Sequence, residues 1–334
     1  VGFKYCAAFF LRYWRKLMIT DMPTKDDFYT MADHMVNEAW EKVADLAYDY
    51  YNYGESNDFK TQSSYYDDGD LANLENYWQY ARPKLITAFT LILQSVEFRL
   101  KGLIVEISPY LLITNATKNL PKSDSEGNIS FTEFHTLDSQ DLLKIYNAFS
   151  SVKLPETFTE WFKNMRILRN RFMHTVDKNT DITPEFIFTS VVTAHRYLNS
   201  ESSHWIWHRY QYKVAHSSGG VVNGMEDKEE FSGTVWEMLN IHYEFTSVIS
   251  VCSKQAALDF FGYHKIAPGD IHFKESFYCK KCVSVMEKRF NFDGKHIESA
   301  LETVQYNRKL EKYICAFCHD QQDVKTKGIW EECD

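Results

Sequence analysis

The chain has 334 residues, 44% of them hydrophobic and 16% aromatic, and a formal net charge of −9. That length and apolar content suffice for one large or two modest packed domains. The negative balance argues against a protein coated with basic surface, so any nucleic-acid contact must come from local clusters of cations. No stretch of about 20 apolar residues runs without a charge, which excludes a helix spanning a membrane. The aromatic start, Cys6 to Trp14, is followed by no small-residue cleavage site of the secretory kind, and a first residue of valine leaves the true start open.

In chain order, Thr24-Lys-Asp-Asp27 predicts a helix start, with Phe28, Met31, Met35, Ala39, Val43 and Leu46 following at helical spacing. The Tyr-rich and then acidic run from Tyr48 to Asp70 reads as a linker or loop; its tyrosines could stack on bases, but no basic stripe accompanies them. From Pro83 two apolar rows, Ile86, Leu93, Leu100 and Ile107 beside Phe89, Val96, Leu103 and Tyr110, predict a buried bundle helix. Glu97 and Lys101 stand at i, i+4 next to those rows, the spacing of an ordinary helix ion pair.

Residues 114 to 137 form a polar insertion, after which Asp138 opens a short helix through Leu142 to Phe149. Thr157-Phe-Thr-Glu160 is a capping box for a third helix, and Thr183-Pro184-Glu185 starts a fourth, on which His195 is expected at the core edge or surface. Residues 203 to 213, SHWIWHRYQYK, fit either a strand or a short amphipathic helix. Trp207, Arg209 and Lys213 there are candidates for RNA contact, with packing the competing role of the tryptophans. Beyond a Gly/Ser-rich and acidic loop, one long helix is predicted from Thr234 to about Phe261.

The third helix carries the densest chemistry. Arg166-Ile-Leu-Arg169-Asn170-Arg171-Phe172-Met173-His174 puts Arg166, Asn170 and His174 on one edge at i, i+4 and i+8, beside the apolar stripe of Met165, Leu168 and Phe172. Arginine presents a planar fork matched to phosphate oxygens, and histidine exchanges protons near neutral pH. A solvated basic edge carrying a satisfied histidine has the same spacing.

Arg169-Asn170, three residues and then His174 resembles the ribonuclease signature of HEPN domains, in which an arginine, usually followed by a polar residue, precedes a histidine by four to six residues. The Glu97/Lys101 pair is similar to an element that several HEPN families carry on the first bundle helix. The resemblance covers about residues 80 to 200 and implies a helical bundle that dimerises with its two motifs facing each other. That arrangement would form one composite, metal-independent RNA-cleaving site from Arg169, Asn170 and His174, supported by Glu97, Lys101 and Arg166. Prokaryotic HEPN ribonucleases of similar architecture often act as toxins or in abortive-infection antiviral defence, cutting tRNA or other cellular RNA. Val176 stands where toxins regulated by a nucleotidyltransferase carry tyrosine, so that mode of control is not implied here. A non-catalytic HEPN-like dimer that binds nucleotide or RNA, with a C-terminal zinc module that recruits a partner, remains the alternative.

Near the C-terminus, Cys279-Lys-Lys-Cys282 and Cys315-Ala-Phe-Cys318 supply four soft ligands of the kind that hold a structural Zn²⁺ tetrahedrally in a module too small to stabilise itself. Their use as metal ligands rather than a disulfide framework points to a reducing, cytoplasmic setting. Cys315-Ala-Phe-Cys318-His319 also matches c-type haem attachment, and either pair has the form of a redox dithiol. Lys281, Lys288, Arg289, Lys295, Arg308, Lys309 and Lys312 make the intervening segment basic, while Cys6, Cys252 and Cys333 belong to no motif. The expected organisation is mainly α. An N-terminal helical extension and linker (1–75) precedes a HEPN-like helical bundle (76–268), and a small zinc-ribbon-like four-cysteine module (269–334) follows. RNA, a second copy of the chain and an unknown regulatory protein are the expected partners.

Overall fold

The computed structural model describes residues 18–55, 77–116, 118, 120–174, 182–199, 204–216, 230–265, 276–277, 279, 281–282, 303–307, 310 and 312–322. Among these the protein is mainly helical, and no helix is long and apolar enough to cross a membrane. The chain forms two compact units, one from Val1–Met35 with Leu93–Met173, the other from Val36–Ile92 with His174–Asp334.

In the first unit, helix α1 (Lys25–Glu55) begins where the sequence predicts. Asp27 Oδ2 accepts from the backbone N–H and hydroxyl of Thr24 at 2.8 and 2.7 Å, and the Asp27 N–H returns a bond to Thr24 Oγ1 at 3.2 Å. This reciprocal cap satisfies donors that a helix start leaves open. The opening turns of α1 pack antiparallel on the last turns of α2 (Tyr77–Ile107): Lys25 pairs with Glu106 at 2.9 Å, Arg99 with Asp33 at 2.5 Å, and Ser95 Oγ donates to the Ala32 carbonyl at 2.8 Å. Between them, Gly102 lies directly under Tyr29, whose ring carbons stand 2.7 Å from where a Cβ would be. A short parallel pair, β1 (Met18–Thr20) with β2 (Asn128–Ser130), ties the polar insertion to the N-terminal segment through buried Ile129.

Helix α3 (Ser139–Phe149) buries Leu142 and Tyr146, and α4 (Glu156–His174) buries Phe158, Phe162 and Met165 at helical spacing. The Phe158 and Phe162 rings are parallel within 4°. The start of α4 differs from the prediction. Pro155 supplies the first carbonyl, accepting from Phe158 and Thr159 N–H at 3.1 Å, so Thr157 lies inside the first turn rather than capping it.

In the second unit, Trp40 of α1 is surrounded by Phe188 of α5 (Pro184–Leu198), Trp205 of α6 (Trp205–His216) and Phe261 of α8 (Lys254–Phe261), with ring centroids 4.7, 5.3 and 6.2 Å away. Thr183 caps α5 as expected, accepting from Phe186 N–H at 3.1 Å. The aromatic segment at 205 is helical, which resolves the choice between strand and helix. The helix predicted from Thr234 to Phe261 is two: α7 (Glu230–Val251) ends before Ser253, whose Oγ accepts from Ala256 N–H at 3.2 Å and starts α8. Gly262 closes α8 at φ 66°, in the left-handed region that glycine enters without strain.

Helix α1 also runs on to Glu55, through the start of the predicted loop, and α2 begins at Tyr77, leaving Pro83 inside it. Tyr77 and Trp78 pack on Tyr50 at 5.5 and 5.1 Å, and Tyr77 Oη donates to the Leu46 carbonyl at 3.0 Å, so aromatic contacts hold the added turns. A four-stranded antiparallel sheet, β3 (Ser276–Phe277), β4 (Val304–Asn307), β5 (Lys312–Cys315) and β6 (Gln321–Gln322), forms the C-terminal part of this unit.

Candidate functional site

Arg166, Arg169 and Asn170 lie on the last turns of α4, and Glu97 and Lys101 on the C-terminal half of α2. All five line one open cavity of about 410 Å³ in the first unit, which residues Thr136 to Gln140 around the start of α3 also line. Arg169 Nη1 pairs with Glu97 Oε1 at 3.2 Å, both side chains partly exposed. Lys101 does not pair with Glu97 as helix spacing suggests; its Nζ donates to Thr136 Oγ1 at 3.3 Å. Glu97 is therefore free to orient the arginine of the neighbouring helix.

Arg166 Nε is buried with no hydrogen-bond partner, a donor left open beside the cavity. Asp138 caps α3 without a side-chain hydrogen bond, so the positive end of that helix also faces this space. Three cations, two amides and a helix N-terminus around one cavity suit an anionic ligand, with Glu97 and Asp138 limiting the net charge. His174 is the last residue of α4, one turn beyond Asn170; its side chain lies outside the described residues. Ile167 and Met173, flanking Asn170 in sequence, are exposed.

The second constellation forms in the C-terminal sheet region. The Sγ atoms of Cys279, Cys282, Cys315 and Cys318 lie within 4.8 Å of one another, with three of the residues buried. Tetrahedral thiolates about 2.3 Å from a metal sit roughly 3.8 Å apart, and Cys279 and Cys318 stand at 3.6 Å. Cys315 ends β5, in register with Val304. The turn after it is fixed by Ala316 N–H to the Thr303 carbonyl at 2.7 Å and His319 N–H to the Cys315 carbonyl at 2.8 Å, with His319 left-handed at φ 58°. Thr303 Oγ1 and the Cys318 N–H approach Cys315 Sγ at 3.1 and 3.4 Å. Hydrogen bonds from Cys282, then Cys315 and Cys318, hold the Cys279 thiol far below its ordinary range, and hydrogen bonds with Cys279, then Cys315 and Cys318, push Cys282 up. The donor set could hold a metal ion, and the four thiols are unbridged. Cys252 is buried and its thiol is pushed up to about 12, mainly by burial, so it stays protonated and inert. Cys6 and Cys333 lie outside the described residues, as do Lys288, Arg289, Lys295, Arg308 and Lys309.

Arg209, a candidate RNA contact by sequence, is fully buried. Its guanidinium donates to Glu244 at 3.0 and 3.2 Å, to Asn37 at 3.1 Å and to Glu41 at 3.0 Å, while Lys213 bonds Glu41 at 2.5 Å. It is a structural cation with no face for a phosphate, and the acidic partners come from helices remote in sequence. His195 is a core residue against Trp205 and His208, with centroids 5.5 and 5.1 Å away. The α3 start at Asp138 follows the sequence, but its place beside the cation-lined cavity had no sequence signal, nor did His242 of α7, whose ring stacks on Phe317 between two of the cysteines.

Compared with known proteins, the chain matches no family model, no curated protein and no solved structure.

Proposed function

We propose that the chain is a metal-independent endoribonuclease of HEPN type that works as a homodimer in the cytoplasm. The observation that carries this reading is the convergence of Arg166, Arg169, Asn170, Glu97 and Lys101 on one cavity. His174 would take the proton of a ribose 2′-hydroxyl, or give one to the leaving 5′-oxygen, while Arg169 neutralises charge on the phosphorane. Asn170 positions the phosphate or reaches across to the second motif, Lys101 and Arg166 add cationic anchors, and Glu97 fixes Arg169. Products would carry 2′,3′-cyclic phosphate and 5′-hydroxyl ends. Exposed Ile167 and Met173 support a contact between copies at this edge. A role as a toxin or in abortive-infection defence fits such an activity.

The four cysteines would hold a structural Zn²⁺, which cross-links the sheet and supplies no chemistry to the cleavage. Incubating the protein with cellular RNA in EDTA and mapping 5′-hydroxyl ends tests the assignment. Arg169→Ala and His174→Ala should each lower cleavage at least a hundredfold, and variants that cut as fast as the parent would sink it. The Glu97–Arg169 ion pair favours a second reading, a non-catalytic nucleotide- or RNA-binding dimer, because it already neutralises the guanidinium. That protein would retain RNA on a filter while leaving it intact.

A further inference from the structure

His242 is a buried polar group without a visible purpose. It is 3% exposed, and neither ring nitrogen has a hydrogen-bond partner. A neutral imidazole always carries one N–H, so a donor is left unmade in the core, which is unfavourable. Apolar packing alone would be served better by phenylalanine. Its ring lies face to face with Phe317, centroids 3.9 Å apart and planes within 9°, and Phe317 is the residue before Cys318 in the second cysteine pair.

A divalent ion held by four thiolates leaves a buried site with two excess negative charges, which protein N–H and O–H donors must offset. Two such donors approach Cys315, from Thr303 and from the Cys318 backbone. Burial holds His242 neutral down to about 4, and the stack on Phe317 puts its ring against the loop that carries Cys315 and Cys318.

We infer that His242 is a positioning residue of the four-cysteine centre, its ring N–H directed at a sulfur of the cluster once a metal makes that sulfur a thiolate. The inference rests on the reading of the cysteines as metal ligands. In the metal-free arrangement the donor waits; in the loaded one it becomes an N–H···S bond. Stacking on Phe317 sets the ring plane, so the metal loop and helix α7 are matched to each other rather than merely adjacent.

The test uses the full chain titrated with Co²⁺ and then Zn²⁺, following the thiolate-to-cobalt charge-transfer band and displacement by a chelator. His242→Phe keeps the stack and deletes the donor. His242→Gln and His242→Asn return an N–H at the positions of Nε2 and Nδ1. Loss of the donor should weaken metal binding by roughly tenfold or more and shift the charge-transfer band, and one of the two amide variants should recover most of both. Melting of the metal-free forms separates this from misfolding, because a purely structural role would lower the metal-free midpoint and leave the band where it was. Phenylalanine binding metal within twofold of the parent, or both amides as weak as phenylalanine, overturns the inference. A parent chain that takes up neither metal overturns the metal reading itself.

Discussion

Arg169 and Arg209 show how differently one residue type is used in this chain. Arg169 is a third exposed, held by Glu97 at the rim of a cavity, and an exposed pair of this kind contributes under about 1 kcal/mol to folding. Glu97→Gln should therefore leave the melting midpoint within a few degrees while lowering the RNA-cleavage rate tenfold or more, read from initial rates and thermal melts on the same sample. Arg209 is the reverse case. Removing it as Arg209→Ala strands Glu41 and Glu244 around a vacated site, and the loss should be about 3–5 kcal/mol in urea unfolding. Sequence spacing could not separate the two, since both sit among aromatic and apolar neighbours on helices; the partners that decide their roles come from other helices. His242 adds a pH dependence of known sign. Its folded pKa, about 4, lies below the ordinary value of 6.5, so the unfolded chain binds the extra proton as pH falls. Stability from this group is complete above pH 6.5 and declines toward pH 4, with a slope up to about 1.4 kcal/mol per pH unit. Urea midpoints measured with chelator at pH 6.5 and 5 should show a steeper loss for the parent than for His242→Phe.

At the scale of elements, the helix starts with local caps were legible. Thr24 with Asp27, and Thr183 with the following proline, carry their instructions within four residues, and both act as predicted. The failures share a cause. Ser253 interrupts an otherwise unbroken apolar pattern, so the division of α7 from α8 is set by one hydroxyl that the pattern conceals. Pro83 looked like a beginning because proline favours first turns, yet the rings of Tyr50, Tyr77 and Trp78 carry α2 further back. The apolar rows of α2 hold where Leu93, Val96 and Leu100 are buried and end where Ile107 is exposed. The meeting of α1 and α2 depends on a missing side chain. Gly102→Ala would drive a methyl into the Tyr29 ring, and the resulting shift should cost about 1–3 kcal/mol. Calorimetry on Gly102→Ala, with Tyr29→Ala in the same background restoring part of the loss, checks that the ring is the obstacle.

For the whole molecule, the cleavage proposal and the metal proposal predict different responses to one reagent. EDTA should leave single-turnover RNA cut rates unchanged at low temperature while lowering the midpoint of thermal unfolding, since in these proposals the thiolate cluster serves folding and the arginine-lined cavity serves chemistry. Cleavage that stops on chelation and returns with added Zn²⁺ or Mg²⁺ at 4 °C would contradict that separation. Spacing within one helix put Glu97 near Lys101 and Arg166 near Arg169 and Asn170, and Cys-x-x-Cys spacing paired the cysteines; that the two helices meet at one cavity and that the two cysteine pairs cluster comes from tertiary folding. The place of Thr136 to Gln140 was not legible either, because only tertiary folding brings an insertion's end to a cavity.

The way the two units share the polypeptide has a consequence for how the protein is made. Each draws on two separated stretches, Val1–Met35 with Leu93–Met173 and Val36–Ile92 with His174–Asp334, so no single proteolytic cut can release either one whole. On the ribosome, the stretch up to Met35 emerges before its partners in Leu93–Met173 are made, and Val36–Ile92 must follow before docking can begin. The cation-lined cavity is thus assembled only after most of α4 has left the exit tunnel. A truncated message ending before that point would yield polypeptide unable to build it.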